Sequence, residues 1–214
     1  MKTKLFLLSL TFIGLFTYFS YTVAKERWTK LDFDTTVKLQ DHIPRKFDQH
    51  FSYFSLLGSV EVTIGFCLVM ALLSLIRLKL LPVLGWLMII PATLAEVFGK
   101  LVLFHPAPPV FLNRTAVFTH LPSFYVHTDF SYPSGHMTRT IFIITIFLTM
   151  IVYQSKDSFS KLLWISVLIS LAILMGLTRI YLGEHWTSDV AGGGFLGLGI
   201  GLLASVLILD RKLV

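Results

Sequence analysis

Residues 190–209 read VAGGGFLGLGIGLLASVLIL, a run without a single charged side chain. At about 1.5 Å per helical residue, such a run crosses a hydrocarbon layer roughly 30 Å thick. Gly193, Gly197 and Gly201 recur four apart, so they share one helical face and let a neighbouring helix approach closely. A glycine-rich phosphate cradle lies between a strand and a helix. These glycines lie inside a span, and packing is their expected role.

Runs of similar character occupy 5–24, 54–75, 81–104, 136–154 and 161–181, which with 190–209 makes six spans. The chain is 55% hydrophobic and 14% charged, with a mean hydropathy of +0.76. A water-soluble domain of this size needs more polar surface. In lipid every backbone polar group must be satisfied within the structure, and at these lengths helices do so. The expected fold is all-α: a polytopic membrane protein whose six transmembrane helices form one bundle, a single domain over 1–214. Pro91 lies inside the third span and is expected to kink it. Cys67 sits in an apolar run as the lone cysteine, and packing is its expected role.

Net charge is +6 and the isoelectric point about 9.5. The basic residues form no stripe interleaved with aromatics, which argues against nucleic acid. They mark topology instead. Lys2, Lys4, Arg77, Lys79, Lys156, Lys161, Arg211 and Lys212 all fall on one side of a six-span chain, which the positive-inside rule makes cytoplasmic. Both termini are then cytoplasmic, and segment 25–53, mixed in charge sign, is expected as an extracytoplasmic loop carrying a surface helix. Thr22-Val23-Ala24 loosely resembles a signal-cleavage site, but the apolar run before it exceeds the usual signal core. A retained first helix is the expectation.

Unusual polar residues gather at the outer ends of the spans. Lys100 lies near the end of span three, and PSGH at 133–136 opens span four. Arg179, His185 and Asp189 lie in TRIYLGEHWTSD, between spans five and six. Ionisable groups in or beside spans are costly, and their default reading is functional. Ser134 caps a helix start whose free N–H groups attract an oxyanion, and Gly135 admits close approach. His185 and Asp189 are four apart; if the segment is helical there, that is one turn, and the carboxylate can hold one imidazole nitrogen protonated and leave the other to attack. Arg179 offers a planar fork suited to phosphate. Lys100 follows Glu96 by one turn, and a buried salt bridge is the competing reading there. His105, His120 and His127 share an outer loop without tight metal-ligand spacing, and no metal or other cofactor is expected.

These residues resemble the three motifs of the type 2 phosphatidic acid phosphatase superfamily, in its membrane lipid phosphatase branch, which includes undecaprenyl-diphosphatases and phosphatidylglycerophosphatases. The second motif, PSGH, matches at 133–136. The third matches as Thr178-Arg179, His185 and Asp189, with threonine in place of serine. The first departs: Lys100 is followed by Ala107-Pro108 where the family has Arg-Pro. Arg114 and Arg139 are the candidate substitutes.

The resemblance implies a metal-independent lipid phosphatase with active-site segments 100–136 and 179–189. His185 would be the nucleophile oriented by Asp189, and His136 the proton donor and acceptor. Lys100, Ser134, Gly135 and Arg179 would bind phosphate. The implied partners are a lipid phosphate substrate and the bilayer, at the outer face of a bacterial plasma membrane. Undecaprenyl diphosphate is the favoured substrate, with phosphatidylglycerophosphate and phosphatidic acid as rivals. A non-catalytic lipid-binding or transport protein is the alternative of another class, and the departure at Ala107 is what supports it.

Overall fold

The computed structural model describes residues 1–117, 129–154 and 157–209. The described residues form nine α-helices: α1 (Lys2–Ala24), α2 (Thr29–His42), α3 (Asp48–Ser55), α4 (Val60–Ile76), α5 (Leu80–Leu87), α6 (Ile89–Val102), α7 (Gly135–Gln154), α8 (Ser158–Tyr181) and α9 (Thr187–Ile208). Six helical stretches are long and apolar enough to cross a membrane. Two of them join helices, with α3 running through a short turn into α4 and α5 into α6. The chain is a multi-pass, all-α membrane protein. His120, His127, Lys156, Arg211 and Lys212 lie outside the described residues.

Helix α9 is the centre of the bundle, and its small residues decide which neighbours it takes. A Cβ at Gly197 would lie 2.5 Å from the Thr138 carbonyl oxygen, and one at Gly201 would lie 2.8 Å from Thr145 Cβ. The glycine stripe therefore brings α7 to backbone contact. The opposite face receives α1, whose Ser9 Oγ donates to the Gly199 carbonyl at 2.7 Å. A core of Trp86, Ile89, Phe142, Ile146, Leu196 and Ile200 joins α5 and α6 to α7 and α9. Many other large apolar side chains, such as Leu72, Leu94 and Leu162, are exposed, as a lipid-facing surface requires.

Two local features differ from expectation. The third span is interrupted rather than bent at Pro91: α5 stops at Leu87 and α6 starts at Ile89. Proline has no N–H for the carbonyl four residues back and its ring clashes there, so the break falls one turn upstream and leaves Pro91 in the first turn of α6. Segment 25–53 is mostly exposed, as expected, but carries the helices α2 and α3 rather than one surface helix. Its inner side is buried, through Asp32, Thr36 and Gln40 of α2 and Ser52 of α3. Gln40 Nε2 donates to the carbonyls of Leu112 and Tyr181 at 2.7 and 2.8 Å, so α2 is fixed over the loops that join the spans.

Gly197→Ala is expected to force α7 from α9 and lower stability by about 1–3 kcal/mol. Gly194→Ala, at a position with nothing within 4 Å of the added carbon, is expected to be neutral or stabilising by up to about 1 kcal/mol. Thermal unfolding in detergent separates the two. Equal losses would mean that the stripe does not set the helix contact.

Candidate active site

The third span's end, the head of α7 and the α8–α9 connection meet at one end of the bundle. Gly183 makes that connection: its φ is +65°, and a Cβ there would collide with the Leu112 carbonyl. Only glycine meets both conditions without strain. The chain wraps back, and the Glu184 and His185 N–H groups donate to the Arg179 carbonyl at 3.2 and 3.3 Å. Helix α9 then opens at Thr187 with Asp189 in its first turn.

Asp189 is fully buried. Its Oδ2 accepts from the Trp186 N–H at 2.9 Å and lies 3.3 Å from His185 Nδ1. One carboxylate oxygen thus caps the helix and orients the imidazole, and the bond to Nδ1 leaves His185 Nε2 as the nitrogen away from Asp189. The Asp189 carbonyl accepts from the Ser134 N–H at 3.0 Å, which ties PSGH to the same turn. His136 follows, part-exposed, within electrostatic reach of Arg179, Arg139, His185 and Lys100. Burial pulls the His185 imidazole below its ordinary value of 6.5, with Arg179 and Lys100 acting the same way and Asp189 opposing them.

The cations are held by buried partners. Lys100 Nζ lies 2.9 Å from Glu96 Oε1, so the i,i+4 salt bridge is present. The other Glu96 oxygen pairs with Arg139 Nη1. Arg139 thereby joins Lys100 around one carboxylate. Arg114 goes elsewhere: it stacks over the Tyr181 ring and donates to the Tyr181 hydroxyl at 3.2 Å. Of the two candidate substitutes for the missing arginine, the fold brings Arg139 to Lys100. The close approach at Gly135 is made by Glu96, whose carboxylate occupies the space a Cβ would need.

Arg179 pairs with Ser55 Oγ and with the Glu184 carboxylate. Burial alone would raise the Glu184 acid, but Arg179, the Thr115 hydroxyl and His185 outweigh it and hold the group below its ordinary value. Among the described residues, Ser134 Oγ, Arg139 Nε and Arg179 Nε are buried without a hydrogen-bond partner, so this region carries donors that an anion can satisfy. No cluster of three or more His, Cys, Asp or Glu among the described residues is arranged for a metal ion. Glu184, Ser55 and Asp32 were not singled out as site residues from sequence. Glu184 adjoins the third motif, whereas Ser55 and Asp32 carry no local signal in a mixed-charge segment.

Residues 79–213 match the family model described as the PAP2 superfamily. The chain belongs to the PAP2 superfamily. It is 33% identical over 124 residues to an undecaprenyl-diphosphatase of Sulfolobus acidocaldarius, covering 56% of this chain and 53% of that protein. It is 35% identical over 75 residues to phosphatidylglycerophosphatase B of Bacillus subtilis, covering 33% of this chain and 36% of that one. The matches span about half or less of those relatives' lengths. The fold is similar to the crystal structure of a transmembrane PAP2-type phosphatidylglycerolphosphate phosphatase from Bacillus subtilis, with a TM-score of 0.73, 18% identity and coverage of 92% and 94% of the two chains. It is also similar to Aquifex aeolicus LpxE, with a TM-score of 0.59, 22% identity and coverage of 81% and 94%.

Glu96→Ala strands two buried cations and is expected to cost about 3–5 kcal/mol. Arg139→Met leaves Glu96 paired with Lys100 and is expected to cost less. Thermal unfolding of the two variants in detergent ranks them, and the reverse order would mean that Glu96 is not the hub of this cluster.

Proposed function

We propose that this protein is a metal-independent lipid phosphatase that cleaves a phosphate or diphosphate head group through a phosphohistidine. The observation that carries the reading is the His185–Asp189 pair set at the head of α7 among Lys100, Arg139 and Arg179. His185 Nε2 attacks phosphorus as the bond to the lipid-side oxygen breaks, and His136 protonates that oxygen. Water then attacks the phosphohistidine, His136 takes its proton, and cleavage of the P–N bond releases inorganic phosphate. Phosphoryl transfer depends mainly on positioning and electrostatics. Lys100, Arg179, Ser134 and the first N–H groups of α7 at Gly135 supply both, with Arg139 in the role left open by Ala107.

An apolar groove of about 270 Å³ supports a lipid substrate. It lies between α4, α7 and α8, and Phe54, Leu57, Phe147, Leu171 and Met175 are among its lining. The groove lies near the site: Gly58 is packed between Met175 on the groove wall and His136, and a Cβ there would lie 3.1 Å from Met175 Cε and 3.0 Å from His136 Cδ2. A substrate can keep its tail there while its head group meets the cations. Undecaprenyl diphosphate is the favoured substrate, consistent with the match to the undecaprenyl-diphosphatase of Sulfolobus acidocaldarius. Phosphatidylglycerophosphate is the second reading, consistent with the other. The charge asymmetry of the loops supports an extracytoplasmic site.

The test is phosphate release from a panel of lipid phosphates by the purified protein. Release is expected to survive EDTA, to be inhibited by vanadate, and to be lost in His185→Ala and in His136→Ala with the fold retained. Near-normal turnover by His185→Ala rejects the mechanism, and binding without release by the wild-type protein favours the non-catalytic alternative. The pH profile adds a check. A nucleophilic imidazole must be neutral, and burial lowers the value at which His185 protonates. Activity is therefore expected to hold as pH falls to about 6.5 and to be lost only below it.

A further inference from the structure

Behind the His185–Asp189 pair lies a second set of buried polar groups that the reaction above does not use. Asp32 of α2 is 1% exposed, His105 is 8% exposed, and Ser188 of α9 is 1% exposed. Asp32 Oδ1 accepts from the Ser188 N–H at 2.8 Å, and Oδ2 accepts from the Ser188 hydroxyl at 2.7 Å. Asp32 therefore caps the first turn of the helix that carries Asp189, from a different segment of the chain.

His105 Nε2 lies 3.3 Å from Ser188 Oγ, 3.6 Å from Asp189 Oδ1 and 3.9 Å from Asp32 Oδ2. A hydroxyl has one proton, and that of Ser188 goes to Asp32. The contact between Ser188 Oγ and His105 then requires the ring nitrogen to donate. The Nε2–H so defined faces Asp189 Oδ1, the oxygen that His185 does not use and that has no hydrogen-bond partner among the described residues. The main chain fixes the ring's position: the His105 carbonyl accepts from the Ser131 N–H at 3.0 Å, and the Tyr132 ring packs edge-on against the imidazole.

We propose that His105 is a positioning residue for His185, acting through Asp189: its Nε2–H draws on the free carboxylate oxygen, and Asp32 holds it there through Ser188. The consequence is electrostatic. A carboxylate that shares its charge with a second donor attracts a proton on His185 less strongly, so His185 stays neutral at lower pH. The groups that face His185 are Asp189, Arg179, Lys100, Glu184 and His136. Those that face His105 are Asp32 and Asp189, with the Tyr132 ring at its edge. This role rests on His185 being the nucleophile, and its electrostatic part can be read without turnover.

The experiment is a histidine-selective ¹⁵N NMR titration of the full chain in detergent, set beside the pH profile of kcat/KM. In His105→Leu the pKa of His185 is expected to rise by about one unit, and the acid limb of activity to move up with it. His105→Gln, whose amide N–H reaches the place of Nε2, is expected to titrate like the wild type. No movement in His105→Leu, or equal movement in both variants, overturns the proposal. Should His105→Leu fail to fold, Ser188→Ala decides. Without the hydroxyl through which Asp32 fixes the ring, the Nε2–H is no longer held on Asp189 and the His185 pKa is expected to rise, whereas a fall or no change counts against the proposal. A wild-type protein that releases phosphate from no lipid defeats the hydrolase reading, while the titration still decides the role of His105.

Discussion

The Ser134 N–H donates to the carbonyl of Asp189 at 3.0 Å, and the candidate site is built outward from that bond. It joins the heads of α7 and α9, two helices whose N-terminal ends carry partial positive charge and unsatisfied N–H groups. The bond forms only because the helices approach to backbone distance. A Cβ at Gly193 would lie 2.5 Å from the Ser134 carbonyl oxygen. The glycine stripe that makes 190–209 a good membrane helix is therefore also what aligns PSGH with the His–Asp pair. A side chain in that stripe would separate the two helices at the site and along the bundle alike.

Burying so many charges is costly unless each has a partner. Glu96 serves Lys100 and Arg139, Glu184 serves Arg179, and Asp32 serves Ser188 beside His105. Each carboxylate comes from a different stretch of chain, so the cluster is balanced only when α2, α6, α7 and the α8–α9 turn are all in place. The cations are held without being fully used: Arg139 Nε and Arg179 Nε have no partner among the described residues. That is the arrangement expected of a site that meets a multiply charged anion. Resident carboxylates limit repulsion among the cations, and the remaining donors give the anion a reason to bind.

Much of this was legible in the sequence, for reasons of physics. Span length is a local property that no tertiary contact overrides, and the four-residue separation of His185 and Asp189 is short enough that the pair forms even though His185 lies in the turn before α9 rather than in the helix. The Glu96–Lys100 pair was legible because one helical turn fixes its geometry. What the sequence left open depends on distance in space. Arg114 and Arg139 look equally able to replace the arginine missing at Ala107, and only packing takes one to Tyr181 and the other to Glu96. Asp32 is one acid among several in a mixed-charge segment, and nothing near it marks it as the residue that turns inward. The break before Pro91 was foreseen in kind but not in place, because the ring acts on the carbonyl one turn upstream.

Segment 25–53 packs one side against the site's turn. Its charges read as a solvated face, yet α2 turns Asp32, Thr36 and Gln40 inward and binds at both ends of the α8–α9 turn. Gln40 holds the Tyr181 carbonyl before the turn, and Asp32 holds the Ser188 N–H after it. The stretch between them contains Gly183, Glu184 and His185 and lacks regular helical bonding of its own, so its shape must be imposed from outside. A helix laid across it does so without lining the apolar groove between α4, α7 and α8. The same layout thus holds the His185 turn through α2 and leaves the apolar groove to α3, α4, α7 and α8, so the helix that shapes the site is not one that an apolar chain in the groove would have to displace.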